Sequence, residues 1–338
     1  MAVASRVAPS PSPPSPPSRP SRPIERRIDL RGRDFLSGSD LAPGEIEAVL
    51  ERGAFLKARP GLSRDRTLAG RTIVLLFQKP SLRTRVSFEL AVRRLGGEPL
   101  HLSQSEVGLG ARESVPDVAR TLDRWVDGIV ARTFEHSVLE ELAASAGVPV
   151  INALTDLEHP CQGLADLLTL RERFGRLRGL SLAFIGEGNN VFNSLALLGS
   201  SLGLEVRIAH PEGYGPDAGV MRSATRIGRL NGGRVVVSPS PKAAARGADA
   251  LYTDTWVSMG SEAGASARRV AFLGYTIDAK LLAVAPPHAV VMHCLPAHRG
   301  EEISADAIDG PRSVVFDQAE NRLWAQQALL AEIYSPPA

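Results

Sequence analysis

The stretch FQKPSLRTRVSFE, Phe77 to Glu89, places a dense polar cluster between two apolar runs. The run RTIVLLF that leads into it predicts a buried β-strand, and VSFELAVRRLGG predicts a helix that ends at Gly96 and Gly97. Five polar side chains fall within the seven positions at this junction: Lys79, Ser81, Arg83, Thr84 and Arg85. The stretch therefore predicts a strand, a polar turn and a helix, with charges concentrated where the helix begins.

Strands and helices alternate along the rest of the chain, which is typical of parallel sheets with helical crossovers. The first predicted helix, within residues 37–58, has Ile46, Val49, Leu50 and Phe55 on one side. The predicted strands are Thr72–Phe77, Pro99–Leu102, Gly128–Arg132, Val148–Ile151, Leu180–Ile185, Glu205–Ala209, Arg234–Val237, Ala250–Thr253, Ala289–His293 and Ser313–Phe316. The other predicted helices are Arg83–Leu95, Val115–Trp125, Val138–Ala146, Cys161–Phe174 and Ala319–Ile333.

This pattern predicts an α/β protein with two parallel-sheet domains linked by helices. A chain of 338 residues is long enough for two cores. We expect residues 28–158 to form the first domain and residues 159–318 the second. We expect the closing helix, within residues 319–335, to return to the first domain.

The composition excludes several classes of protein. A formal charge of +2 does not predict a nucleic-acid surface, and no apolar run approaches the ~20 residues that span a bilayer. The two cysteines, Cys161 and Cys294, lack metal-type spacing and predict free thiols in a reducing cytoplasm. Residues 1–27 are rich in Pro, Ser and Arg, which predicts a disordered bacterial extension, with an organelle transit peptide as the alternative.

The polar clusters all follow predicted strands or open the helices after them. Ligands of open parallel sheets bind at these carboxyl ends, so we expect the clusters to converge in a cleft between the domains. The clusters are Ser81–Arg85, Arg132, His159 with Gln162, Glu187–Asn190, Asp254 with Trp256 and Ser258, and His293 with Cys294.

The cluster at Ser81 predicts an anion site. If Ser81 caps the helix, the amides of Leu82, Arg83 and Thr84 point outward at its positive end, and Arg132 can approach from a neighbouring strand. Several donors and cations in one small space suit a phosphate or a phosphate ester. The alternative is a capped helix with solvated arginines, and the matching clusters at other strand ends favour the anion site.

The other clusters also have structural interpretations. His159 could be a core histidine or a donor at a helix start, where Pro160 occupies a favoured position. Cys294 could be an inert buried thiol, Asp254 a helix cap and Met259 a core residue. The turn FIGEGNN resembles a dinucleotide fingerprint only weakly, because Val191 stands where the third glycine would be.

Taken together, seven stretches resemble the transcarbamylase family and, within it, the ornithine branch. SxRTR with HPxQ is fairly specific for the family, and DxWxSMG with HCLPAHRG is specific for that branch. The stretches run in order from Phe77 to Trp324: FQKPSLRTRVSFE (77–89), ARTF (131–134), TDLEHPCQGLAD (155–166), GEGNN (186–190), DTWVSMGSE (254–262), HCLPAHRGEE (293–302) and AENRLW (319–324).

The resemblance implies an enzyme that makes citrulline and phosphate from carbamoyl phosphate and L-ornithine, with no metal or organic cofactor. It also implies a homotrimer with sites near the subunit junctions. The residues implied for carbamoyl phosphate are Ser81, Leu82, Arg83, Thr84, Arg132, His159, Gln162, Cys294, Leu295 and Arg322; those implied for ornithine are Asn190, Asp254, Ser258 and Met259.

The implied chemistry explains these residue types. The δ-amine attacks the carbamoyl carbon, and Thr84, Arg132 and His159 stabilise the oxygen of the tetrahedral intermediate. Arg132, His159, Asp254 and Cys294 are the implied catalytic residues. We expect Asp254 and Cys294 to orient the amines of ornithine, without a covalent cysteine intermediate.

Two residues depart from the family pattern. Leu82 replaces a residue that is commonly threonine in the ornithine branch, and Gly108 stands where a polar side chain usually reaches a neighbouring subunit's ligand. These departures leave two alternatives, namely a transcarbamylase for N-acetylornithine or putrescine and a non-catalytic paralogue that binds ligands. A nucleotide-dependent oxidoreductase is a further alternative, which rests only on GEGNN.

Overall fold

The computed structural model describes residues 29–59, 66–257 and 264–335, and it contains two parallel β-sheets. The strands are β1 Thr72–Phe77, β2 Glu98–Ser103, β3 Gly128–Arg132, β4 Val150–Leu154, β5 Ser181–Ile185, β6 Glu205–Ala209, β7 Arg234–Val237, β8 Ala250–Thr253 and β9 Val290–His293. The helices are α1 Pro43–Ala58, α2 Leu82–Arg94, α3 Gln104–Val107, α4 Val115–Leu122, α5 His136–Ser145, α6 Pro160–Phe174, α7 Asn190–Ser201, α8 Ala218–Asn231, α9 Pro241–Ala245, α10 Ala265–Ala271, α11 Ala279–Leu282, α12 Ala305–Ile308 and α13 Val315–Ile333.

Each sheet is doubly wound, and every pairing within it is parallel. The first has the strand order β2-β1-β3-β4, and the second has the order β7-β6-β5-β8-β9. Chain order reverses direction at β1 in the first sheet and at β5 in the second, so each sheet has a switch point where neighbouring loops separate. The predicted fold class of two parallel-sheet α/β units is confirmed.

Three hydrophobic clusters hold together the part of the chain that the structure describes. The largest covers one face of each sheet and includes the buried sides of α1, α2, α6, α7 and α13. The opposite face of the first sheet packs on α4 and α5, and that of the second packs on α9, α11 and α12. Because the central strands are covered on both faces, their sequences are almost continuously apolar rather than alternating.

Helices α6 and α13 run together between the two sheets. Helix α13 packs against α6, α1 and α2, and its C-terminal part lies beside the first sheet, where the Tyr334 hydroxyl donates to the Asp127 carbonyl oxygen at 2.9 Å. Its N-terminal part touches β9 of the second sheet. A side chain from the first two turns of α13 can therefore reach groups from both halves of the chain.

The predicted strand Ser313–Phe316 is wrong. Only Ser313 forms an isolated bridge, with Val291 at the sheet edge, and α13 already begins at Val315. The β-branched pair at 314 and 315 favours a strand locally. In the structure these residues instead form the first turn of a helix, which buries Val315 against the second sheet and leaves Phe316 exposed.

The prediction of which residues α1 buries is also partly wrong. Ile46, Val49 and Leu50 are buried as expected, but the side chain of Phe55 is 52% exposed. The Arg59 guanidinium lies over the Phe55 ring, 4.7 Å from the ring centroid, so this exposed ring makes a cation–π contact.

None of the helices in the described ranges is long and apolar enough to cross a membrane. The Pro-rich extension predicted for residues 1–27 lies outside the described residues, as do Ser258 and Met259.

Candidate active site

The N-terminus of α2 forms the first part of the site. Ser81 is the N-cap residue, and its Oγ accepts a hydrogen bond from the Thr84 amide at 3.3 Å, as predicted. The amides of Leu82 and Arg83 belong to the first turn, where no carbonyl one turn earlier can accept from them. The side chain of Leu82 is 74% exposed, so this residue contributes its amide, and its side chain points away from the protein.

Arg322 joins this turn to helix α6. The guanidinium donates from Nη2 to Thr84 Oγ1 at 2.7 Å and from Nη1 to Gln162 Oε1. The side chain is only 4% exposed, and its Nε has no hydrogen-bond partner in the described part of the chain. The structure thus brings together three predicted site residues that are separated by up to 238 positions.

Arg132 adds a second guanidinium beside Thr84. It ends β3, next to the C-terminus of β1, and its Nη1 lies 3.4 Å from Thr84 Oγ1. Burial, together with the positive charges of Arg322 and Arg83, lowers the pKa of Arg132 to about 10. Two guanidiniums converge on one hydroxyl, and the positive charge of Arg83 is near enough to act on both. A bound dianion would relieve the repulsion among these three cations.

His159 faces the same group from the start of α6. Its Nε2 lies 3.5 Å from Arg322 Nη1, and its backbone amide donates to Ser194 Oγ at 2.9 Å. Burial, then the charges of Arg322 and Arg132, lowers the pKa of His159 well below its usual range. The ring is therefore neutral at physiological pH and can donate or accept a hydrogen bond without adding another positive charge.

Sequence reasoning missed a buried network behind Arg322. Asp166 Oδ1 accepts hydrogen bonds from Gln162 Nε2 and Gln318 Nε2, both at 2.7 Å, and its Oδ2 accepts from the Tyr252 hydroxyl at 3.1 Å. Burial raises the pKa of Asp166 to about 7 despite these three donors. The network orients Gln162 and, through it, Arg322. The spacing of Gln162 and Asp166, one helical turn apart, is a signal that could have revealed it.

A second polar cluster lies at the carboxyl ends of the second sheet. Asp254 follows β8, and its Oδ1 accepts from Cys294 Sγ at 3.0 Å and from the Thr255 amide at 2.8 Å. Its Oδ2 accepts from Asn189 Nδ2 at 2.7 Å. Burial and the nearby Asp254 raise the pKa of Cys294 well above its usual range, so the sulfur is a neutral thiol that donates rather than a thiolate.

The turn GEGNN supplies both asparagines of this region. Asn189 caps α7 and contacts Asp254, a contact that the sequence did not predict, whereas Asn190 Nδ2 donates to the Thr155 carbonyl oxygen at 2.6 Å. Gly188 is required by packing, because a Cβ there would lie 2.2 Å from the backbone nitrogen of Pro216. This close approach explains the glycine without a dinucleotide.

The segment after β9 closes the site from the other side. Leu295 adopts a left-handed conformation with φ of 59°, and its amide donates to His293 Nδ1 at 2.9 Å. Ligand atoms of Asp254, His293 and Cys294 lie within 4.8 Å of one another. Both ring nitrogens of His293 already have partners, since Nε2 lies 3.2 Å from Glu302 Oε1, so this trio is poorly suited to hold a metal ion.

Gly108 lies away from these contacts. It ends the short helix α3 with φ of +67°, and a Cβ at this position would come within 2.7 Å of Arg112 Cβ. The local backbone therefore favours glycine here. Its predicted relation to a neighbouring subunit stays a prediction.

Known proteins match this chain over nearly all of its described length. The family models "Aspartate/ornithine carbamoyltransferase, carbamoyl-P binding domain" and "Aspartate/ornithine carbamoyltransferase, Asp/Orn binding domain" match residues 33–172 and 178–333. The ornithine carbamoyltransferase of Symbiobacterium thermophilum is 51% identical over 90% of this chain and 98% of its own, and that of Acidothermus cellulolyticus is 52% identical over 88% and 96%. The solved ornithine carbamoyltransferase of Pyrococcus furiosus superposes with a TM-score of 0.89 at 45% identity, covering 92% of this chain and all of that one. The chain belongs to the aspartate/ornithine carbamoyltransferase family.

Proposed function

We propose that this protein is an ornithine carbamoyltransferase, which converts carbamoyl phosphate and L-ornithine into L-citrulline and phosphate, the direction of arginine biosynthesis. The observation that carries the proposal is the position of Arg322. It contacts Thr84 of the first half directly, and Gln318, one turn earlier on the same helix, accepts from the amide of His293, the residue before Cys294, at 2.9 Å. An anion site and an amine-orienting cluster are thus placed close enough to serve one reaction.

The phosphate is expected to bind at the start of α2. The amides of Leu82 and Arg83 and the guanidinium of Arg132 supply donors and positive charge for the leaving group, whereas the Thr84 amide, which the sequence also offered, is taken by the Ser81 cap. Burial strengthens these interactions, because the effective dielectric constant is lower there than in water. Pairing with a dianion also compensates the repulsion among Arg83, Arg132 and Arg322.

The carbamoyl group is expected to lie between Thr84, His159, Gln162 and Arg322. When the δ-amine of ornithine attacks, a C–N bond forms and the carbamoyl oxygen gains negative charge. Arg132 and His159 can donate hydrogen bonds to that oxygen, and one such preorganised donor typically contributes about 3–4 kcal/mol to catalysis. The C–O bond to phosphate then breaks, its electron pair leaves with the phosphate oxygen, and the proton lost by the amine passes to the departing phosphate.

Ornithine is expected to bind on the opposite side, near Asn190 and Asp254, with Ser258 and Met259 completing the site. The Asp254 carboxylate can pair with an ammonium group, while the Cys294 thiol fixes its orientation. The protonated state of Cys294 supports direct attack by the amine rather than a thiolate nucleophile. The cationic residues nearby favour the neutral form of the reacting amine.

We further propose a homotrimer assembled on the outer face of α2. Leu82, Val86 and Leu90 lie one helical turn apart on this face and are exposed, and Leu100 is exposed on the adjacent edge strand β2. An apolar stripe next to a sheet edge is typical of a protein interface. A Leu90→Glu variant should release monomers in sedimentation velocity, and a protein that sediments as a monomer without any substitution would contradict the proposal.

We also propose which substrate each half of the chain binds and where in the cell the protein acts. The first half would bind carbamoyl phosphate and the second ornithine, with α13 packed on the first. A cytoplasmic location is supported by Cys161 and Cys294, which are both free thiols.

A substrate panel tests the function. Purified protein and carbamoyl phosphate should yield citrulline and phosphate with L-ornithine, and far less product with N-acetylornithine, putrescine or aspartate. Preference for another amine would assign a different transcarbamylase. Tight binding of phosphonoacetyl-ornithine by folded protein without turnover would indicate a non-catalytic relative.

A further inference from the structure

Arg268, on helix α10, makes an unusually complete set of contacts outside the residues discussed so far. Its Nη1 and Nη2 donate to the two carboxylate oxygens of Glu187 at 2.6 and 2.9 Å, which is a bidentate pair. Nη1 also donates to the Trp256 carbonyl oxygen at 2.9 Å, and the guanidinium lies over the Tyr214 ring, 5.0 Å from its centroid.

These contacts fix two segments that meet at the ornithine side of the site. Glu187 lies two residues before Asn189, and Trp256 lies two residues after Asp254. Asn189 donates directly to Asp254, so Arg268 holds the far side of both partners in that contact. One guanidinium therefore sets the distance between the β5–α7 turn and the end of β8.

The contact between Arg268 and the Tyr214 ring supports the β5–α7 turn as well. The Tyr214 carbonyl oxygen accepts from the Gly188 amide at 2.9 Å, between Glu187 and Asn189. The Tyr214 ring also packs edge-on against Phe272, with centroids 4.8 Å apart, and Phe272 stacks on Trp256 at 5.6 Å.

Helix α10 and the residue that follows it therefore contact the end of β8 twice, and they reach the β5–α7 turn both directly and by way of Tyr214. Arg268 does so through hydrogen bonds, and Phe272, one turn further on, does so through its buried ring. The two contacts are independent, so loss of the guanidinium leaves the aromatic packing in place.

We propose that Arg268 is a positioning residue for the amine substrate, acting through Glu187 and Trp256 on Asn189 and Asp254. It touches none of the anion-site residues, so its influence is selective for one substrate. This inference rests on the proposed function for the identity of the amine as L-ornithine.

A kinetic comparison tests the inference, with Arg268→Gln as the main variant. The glutamine side chain retains a donor but loses the charge and the bidentate geometry, so the KM for ornithine should rise at least about tenfold, while the KM for carbamoyl phosphate stays within about twofold. Arg268→Lys keeps the charge and should give an intermediate KM. The matched control is Arg269→Gln, which removes the neighbouring pair with Glu301 and should leave both constants unchanged.

A double-mutant cycle excludes a purely structural role. Glu187→Gln alone should raise the ornithine KM by a smaller factor, because Arg268 keeps its contact with the Trp256 carbonyl oxygen. The double variant should be no worse than Arg268→Gln, because both single substitutions remove the pair between these two side chains. The inference is overturned if Arg268→Gln lowers only the melting temperature, if both KM values rise equally, or if the effects of the two substitutions multiply.

Failure of the proposed function is distinguishable from failure of this inference. If the unaltered protein makes no citrulline, the function fails, and calorimetric titration with L-ornithine in the presence of phosphate then decides the inference. Binding by the unaltered protein that weakens about tenfold in Arg268→Gln supports it. Equal binding by both proteins, or no binding by either, overturns it.

Discussion

The anion side of the site, around Thr84, is positively charged, whereas the amine side, around Asp254, is negatively charged. Around Thr84, the guanidiniums of Arg322 and Arg132 lie within hydrogen-bond distance of one hydroxyl, Arg83 adds a third positive charge nearby, and the neutral His159 adds none. Around Asp254, a carboxylate is held by a neutral thiol and an amide side chain. The first arrangement suits an anion and the second suits a cation, as expected of a site that takes an anionic reactant and an amine.

The two sides also differ in how they are supported. The guanidinium of Arg322 is fixed from inside the protein by Gln162 and Asp166. Asp254 is fixed from the periphery, by a turn and a strand end that depend on Arg268. Substitutions should therefore separate into those that affect the first substrate, the second, or the stability of the frame between them.

The largest effect is expected on the anion side. Arg132→Ala should reduce turnover about 10²–10³-fold, because it removes one donor to the developing oxyanion and one charge from the phosphate site. The fold should survive, since the charges nearest to Arg132 are positive and its removal relieves repulsion. Steady-state kinetics with circular dichroism measures both, and Arg85→Ala, an exposed neighbour of the site, is the control.

On the amine side, Asp254→Asn should act mainly on ornithine. It keeps the size of the side chain but removes its charge, so kcat/KM for ornithine should fall by about 10–100-fold, as expected for loss of hydrogen bonds to a charged group. The dissociation constant of carbamoyl phosphate, measured by calorimetry, should hardly change. An equal loss for both substrates would show that the two sides are not separable.

Asp166 lies behind both sides and should control the pH dependence of stability. Its folded pKa of about 7 lies above the usual value of 3.8, so between these values the folded state binds more protons than the unfolded state. Stability from this group is therefore greatest at low pH, falls as pH rises through that window, and is constant above it.

Asp166→Asn removes this titration. The loss of stability between pH 5 and pH 8, measured from denaturation midpoints, should shrink by up to about 3 kcal/mol relative to the unaltered protein. Asp306→Asn, at an exposed position of α12, is the control. A variant with the same pH dependence as the unaltered protein would contradict the raised pKa.

The smallest effect is expected at Leu82, one of the two residues that depart from the family pattern. Leu82→Thr should change the KM for carbamoyl phosphate by less than about threefold, because the backbone amide is retained and the native side chain lies on the outer face of α2. A larger gain in affinity would show that a hydroxyl at this position reaches the ligand.

Much of the fold could be predicted from local pattern. The bounds of β1, β3, β6, β7 and β8 agree with the sequence prediction to the residue. Strands β1, β3 and β8 are short apolar runs bounded by turn residues, so local signals and burial agree there, whereas β7 matches although none of its residues is buried. The strand prediction for Ser313–Phe316 failed because the β-branched residues there belong to the start of a helix that packs on the neighbouring sheet. Local sequence favours a strand at this point, and the tertiary contact favours the helix.

The site was less predictable than the fold. The motif residues Thr84, Gln162 and Arg322 converge as the resemblance implied. Asp166, Asn189 and Arg268 were missed as partners, although two of them lie within the motif stretches. An aspartate in a helix can be a solvated acid or a buried acceptor, and the letters alone do not distinguish the two.

Periodicity and the chemistry of neighbouring residues were enough to specify most of the strands, the order of the elements and the residue types at each strand end. Long-range packing was needed to establish which of those residues meet, how far each is buried, and hence which pKa values shift. Burial and long-range contact depend on groups far apart in the chain: Arg322 acquires its partner at Thr84 only when α13 packs against α2.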